Sequence, residues 1–108
     1  DFSSFRSSGC QAKSPIRNII NTSITKNKNI IIFSITANAF LYHMVRNIMG
    51  TIVDIGSNKI LPSELRNIIN KKDRKFCSKM APSNGLFLWK VSYPSKYKIN
   101  YNSESILL

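Results

Sequence analysis

The hydrophobic period of this chain changes at about residue 40, and that change constrains the fold more than any other feature. From Ile30 to Ala37 the residues are mostly β-branched or aromatic. Ile31, Phe33, Ile35 and Ala37 share one face and Ile30, Ile32, Ser34 and Thr36 the other, as in a strand. From Leu41 onward, Leu41, Met44, Val45, Ile48, Ile52 and Val53 recur at steps of three and four, which predicts an amphipathic helix. Asn38 is placed to cap its start and Gly56 to close its end in a left-handed conformation. His43, Arg46, Asn47, Gly50 and Asp54 form a second stripe on the other side, free for solvent or a ligand. Glycine inside a helix costs roughly 1 kcal/mol relative to alanine, so Gly50 predicts a close approach to the helix backbone.

The flanking segments fit an α+β domain. Residues Ile16 to Thr25 read as a strand with Ile20, Thr22 and Ile24 on one face. The polar run Lys26-Asn27-Lys28-Asn29 would turn it into a hairpin with Ile30–Ala37. Gly9 to Pro15 reads as a loop. Beyond the long helix, Pro62 suits a first helical position, and Leu65, Ile68 and Ile69 give a short apolar stripe running into Lys71-Lys72-Asp73-Arg74-Lys75. Pro82 and Gly85 then break the chain, and alternation from Leu86 to Tyr93 predicts another strand. The expected architecture is a mostly antiparallel sheet with helices packed on one face, in a single domain. Residues 95–108 form a tail. The chain opens on Asp1, with Phe2 and Phe5 close behind, which reads as an element cut through.

Charge points to a partner. Sixteen Lys and Arg against five Asp and Glu give a formal +11, a balance suited to nucleic acid. The abundance of Ile, Asn and Lys offers compositional drift as a second source, so the placement of the basic residues has to decide. Cys10 and Cys77 lie far apart and outside any chelating pattern, so no metal is expected. Without a signal peptide or a long apolar run, a cytosolic protein with two free thiols and no membrane segment is expected.

Most catalytic patterns are excluded. The acids, Asp1, Asp54, Glu64, Asp73 and Glu104, are scattered, and His43 is the sole histidine. Neither an acid pair nor a Ser-His-Asp triad is apparent. Four glycines at 9, 50, 56 and 85 cannot form a phosphate loop. What remains is Arg46, a fixed cation able to hold a carboxylate or phosphate through two parallel hydrogen bonds, although a lone arginine on a helix face is usually surface charge.

Several ordered blocks carry a family resemblance. Asp1-Phe2-Ser3-Ser4-Phe5-Arg6, Gly9-Cys10-Gln11-Ala12-Lys13-Ser14-Pro15 and Ala37-Asn38-Ala39-Phe40-Leu41-Tyr42-His43-Met44-Val45-Arg46-Asn47-Ile48-Met49-Gly50 resemble the TruA-type tRNA pseudouridine synthases. Asp73-Arg74, Ala81-Pro82 and Gly85-Leu86-Phe87-Leu88 follow in the family's order. Met80, where the family usually has Thr, and Ser78-Lys79 before it depart from the pattern.

The resemblance implies that residues 1–94 are the C-terminal half of a catalytic domain that isomerises uridine to pseudouridine in the tRNA anticodon arm. It implies a homodimer that uses neither cofactor nor metal. An N–C glycosidic bond is cut and a C–C bond made, with an aspartate in a G-R-T-D type motif attacking the nucleotide. This sequence contains no such motif, and Asp54 and Asp73 lie in other contexts. By resemblance, Arg46 is the basic partner of that aspartate and Leu86 packs near the target base. Tyr42, His43 and Asn47 flank Arg46 as substrate contacts. Arg6, Lys13, Lys71, Lys72, Arg74 and Lys75 supply phosphate contacts. The alternatives are a non-catalytic RNA-binding module and a decayed fragment.

Overall fold

The computed structural model describes residues 1–92. In chain order, β1 (Ile19–Asn27) and β2 (Ile30–Ala37) precede α1 (Met44–Gly56) and α2 (Glu64–Lys71), with short 3-10 turns at Ser3–Phe5, Arg74–Phe76 and Ser83–Gly85. This is an α+β arrangement with an antiparallel sheet, as the change of period predicts. β1 and β2 pair with Ile24 opposite Phe33, and the ladder is irregular between Ile19 and Asn21. Lys28 takes up the left-handed conformation the tight turn needs, at φ 56°.

β1 starts later than its composition suggests because the preceding residues bond locally. Ile16 N–H donates to Ser14 Oγ at 3.1 Å, and Arg17 Nη1 donates to the Ser14 and Ile16 carbonyls. The predicted strand from Leu86 to Tyr93 does not form over residues 86–92. Alternation specifies a strand only where a neighbouring edge accepts its hydrogen bonds, and neither described strand lies beside it. Tyr93 and the tail lie outside the described residues.

The long helix has different ends from those predicted. It begins at Met44 behind His43, which is left-handed at φ 59° and makes no side-chain cap. Asn38 closes the base of the hairpin instead: its Oδ1 accepts from Asn18 N–H at 2.9 Å and from Ala39 N–H at 3.0 Å. At the other end Gly56 remains helical, and the left-handed residue is Asn58, at φ 62°. α2 begins two residues after Pro62 and closes at Lys72, left-handed at φ 53°.

The core forms around the Ser3–Phe5 turn, where α1, α2 and the Arg74–Phe76 turn meet. Phe5, Leu41, Met44 and Ile68 are buried, with Phe2, Ile19, Ile48, Leu65 and Ile69 packed around them. Each such side chain contributes about 1.5–3 kcal/mol. Buried Ser4 tightens the junction, since its hydroxyl donates to the Ile68 carbonyl at 2.5 Å and accepts from Asp73 N–H at 3.1 Å. Asp73 in turn caps the next turn by accepting from Lys75 N–H.

The buried face of α1 overlaps the predicted stripe only in part: Leu41 and Met44 are buried and Ile48 packs on the core, but the most buried side of the helix is rotated towards the polar residues. Met44, Asn47, Gly50 and Thr51 are its buried residues, whereas Val53 is 52% exposed. Of the polar stripe, Asn47 and Gly50 point inward, with Thr51 beside them. Asn47 Nδ2 donates to the Phe5 carbonyl at 2.8 Å and to Ser7 Oγ at 3.3 Å. Thr51 Oγ1 donates to the Asn47 carbonyl at 3.2 Å. The hairpin remains open by contrast, with Ile20, Ile24 and Ile31 all more than 60% exposed.

Candidate functional site

The site is organised by a strip of chain lying across α1. Without a side chain, Gly50 lets Lys79–Ala81 rest on the helix backbone. A Cβ built there would overlap the Lys79 carbonyl oxygen and stand only 3.3 Å from Ala81 N. This is the close approach that a helical glycine predicts. One turn earlier, Arg46 locks the same strip: its Nε donates to the Ala81 carbonyl at 2.9 Å, and Ala81 N–H donates back to the Arg46 carbonyl at 3.0 Å. One edge of the guanidinium is thus fixed to backbone. Among the described residues its two Nη groups make no hydrogen bond, so the end of the fork is available to an anion.

Tyr42 and His43 stand immediately before α1. Their rings stack at 3.7 Å between centroids, and Tyr42 is half-exposed while His43 is less so. The left-handed backbone of His43 makes this stack possible at the mouth of the helix. Tyr42, Phe40 and residues Gly9–Ala12 line an open groove of about 390 Å³. Cys10 lies in it, accepting from Tyr42 N–H at Sγ. The backbone N–H groups of Tyr42 and then Ala12 hold its thiol below the ordinary range; burial opposes this, and Arg6 adds to it.

The other expected site residues fall into two groups. Asn47 is fully buried, with its Nδ2 donating to the Phe5 carbonyl and to Ser7 Oγ and its Oδ1 without a hydrogen-bond partner among the described residues. Arg6 is half-buried, with its Nη2 directed to the Ala12 and Cys10 carbonyls, where it shapes the loop. Arg74 donates to the Cys77 carbonyl at 3.3 Å. Lys13, Lys71, Lys72 and Lys75 are exposed. Lys71 and Lys75 stand over the Phe76 ring at 5.1 and 5.3 Å, and Lys75 also pairs with Asp73 at 3.7 Å. Leu86 is half-exposed, just after the Ser83–Gly85 turn.

Sequence reasoning missed Ala81, whose contribution is made entirely by backbone atoms. Gly50 announces a close neighbour without saying which, and Ala81-Pro82 figures in the family resemblance without any role attached to it. Among the described residues no three His, Cys, Asp or Glu side chains gather as a metal site would require. No helix there is long and apolar enough to cross a membrane.

A family model described as tRNA pseudouridine synthase matches residues 1–94. The chain belongs to that family. It is 44% identical over 103 residues to tRNA pseudouridine synthase A of Legionella pneumophila (strain Corby), covering 95% of this chain and 39% of that protein. The namesake from Buchnera aphidicola subsp. Schizaphis graminum is 46% identical over 99 residues, covering 92% and 37%. That from Coxiella burnetii (strain Dugway 5J108-111) is 40% identical over 99 residues, covering 92% and 38%. The chain therefore spans about two fifths of the length of these synthases. Its Arg46–Ala81 strip lies within the part matched by the family model.

Proposed function

We propose that this chain supplies one wall of a tRNA pseudouridine synthase site, with Arg46 as the cationic partner of a catalytic aspartate carried by another segment. The observation that carries this reading is the guanidinium held by Ala81 on one side with its Nη end unoccupied by any described residue. A carboxylate received there would stay ionised and fixed in direction, as a nucleophile attacking a nucleotide requires. Tyr42 and His43 present a stacked aromatic surface to the nucleotide, and Leu86 gives an apolar edge beside the uracil. Lys13, Lys71, Lys72 and Lys75 meet phosphates of the tRNA anticodon arm, while Asn47, Arg6 and Arg74 hold the wall in shape. The complete enzyme works in the cytosol as a homodimer, without cofactor or metal.

The test is complementation. The chain is mixed or co-expressed with the N-terminal segment of the Legionella relative, and tritium release from C5-labelled uridine in an anticodon-arm RNA is followed. Making the C–C bond at C5 releases that hydrogen, so release above the level of either part alone is expected. Failure of a stably associated pair to release tritium would overturn the enzymatic reading. The exposed lysines also favour a second reading, a binding module without chemistry, whose outcome is RNA affinity of the chain with no release from the pair.

A further inference from the structure

Arg46 is aimed by a device that no residue role assigned so far includes. We infer that Gly50 and the Lys79–Ala81 strip are positioning residues for the Arg46 guanidinium, an inference that rests on the proposed role of Arg46 and deepens it. Three observations converge. The strip can approach α1 only because residue 50 lacks a side chain, since any Cβ would overlap the Lys79 carbonyl oxygen. The approach brings Ala81 into register with Arg46, one helical turn before Gly50, where N–H and carbonyl of Ala81 both engage it. Bonding through Nε then leaves the guanidinium plane set by backbone rather than by the rotamers of a long side chain.

The consequence is directional. A guanidinium offers two edges to a carboxylate, one through Nε with one Nη and one through both Nη groups. With Nε directed to Ala81, the end of the fork becomes the receiving edge. Arginine loses little freedom on meeting its partner when one edge is already anchored. Lysine has no counterpart to Nε and could not be anchored and offered at once. The strip contains Met80 and Lys79, positions at which the sequence departs from the family pattern, yet the contacts that hold Arg46 come from backbone atoms of Ala81 and are indifferent to those substitutions.

The experiment has two arms. In the chain itself, hydrogen exchange of the Arg46 Nε–H is followed by nitrogen-resolved NMR in the wild type, Gly50→Ala and Ala81→Gly. Protection should fall about tenfold in Gly50→Ala, the loss of one hydrogen bond, and less in Ala81→Gly, which loosens the strip without displacing it. Ala81→Gly keeps every backbone donor and acceptor, so it judges the device even if Gly50→Ala loses its cooperative melt. Unchanged Nε–H exchange in both variants overturns the inference. In the second arm the complemented enzyme is assayed across pH. Gly50→Ala should lower kcat about tenfold with KM little changed, and should move the acid limb of the rate profile to higher pH, because a less fixed guanidinium holds its carboxylate less far below the ordinary range. A lower rate with an unmoved acid limb would reduce Gly50 to a packing residue. A complemented wild type without activity overturns the enzymatic reading alone, and the exchange arm still decides whether the strip aims Arg46.

Discussion

The Ser3–Phe5 junction and the β1–β2 hairpin are both regular, yet they are stabilised in different ways. At the junction a few buried residues are joined by hydrogen bonds from Ser4, Asn47 and Thr51, and distant parts of the chain depend on one another. In the hairpin the ladder is nearly continuous, but Ile20, Ile24 and Ile31 leave large apolar surfaces in solvent. Local pattern alone suffices to draw a hairpin. The site needs more than local pattern, because Arg46 is fixed in direction by Ala81, thirty-five residues further along the chain. The exposed isoleucines and the bare Leu86–Val91 stretch together present more apolar surface than isolated surface residues would.

Substitutions should separate the two regions. The largest effect is expected for Phe5→Ala, which opens a cavity at the point where both helices meet. It should cost about 3–5 kcal/mol in urea melts followed by circular dichroism. A loss under 1 kcal/mol would mean that the junction is not the core. Arg46→Ala should lower tritium release by the complemented enzyme on the order of 10²-fold, far beyond the loss of about 1 kcal/mol expected in the urea melt when the Ala81 carbonyl loses its donor. Wild-type rates in that variant would remove Arg46 from the site. Asn47→Ala leaves the Phe5 carbonyl without its donor and should cost about 2 kcal/mol in the same melts. If instead its stability were normal and its RNA affinity fell, Asn47 would belong with the substrate contacts after all.

Smaller effects probe the surface. Lys71→Ala and Lys75→Ala should each reduce the salt dependence of anticodon-arm RNA binding by about 0.7 in log–log slope, measured by fluorescence anisotropy. An unchanged slope would make them ordinary solvated charges. Ile31→Thr should stay within about 0.5 kcal/mol of wild type, since its side chain already faces solvent. A cost comparable to that of Phe5→Ala would erase the distinction between the two regions.

Much of the architecture was legible in the residues. The hairpin turn at Lys28, the helical stripe after Leu41 and the short helix after Pro62 all follow from local periodicity and turn chemistry, which act over a few residues. So did the identity of Arg46 as the group to watch, through elimination and through resemblance. Helix ends were less legible: Asn38 and Gly56 have the chemistry of caps but serve other partners, because a cap depends on where the chain comes from as well as on the residue.

The amino-acid sequence by itself determined the order of strand and helix, the basic balance and membership of a tRNA pseudouridine synthase family. Only the tertiary structure decided which face of α1 is inside and what holds Arg46. Hydrophobic periodicity assumes that polar groups seek water, whereas Asn47, Gly50 and Thr51 are drawn inward by a carbonyl to satisfy, a strip of backbone to admit and a helical turn to bond. The partners of Arg46 and Asn47 lie thirty-five and forty-two residues away and act through main-chain atoms that every residue possesses, so no local pattern identifies them.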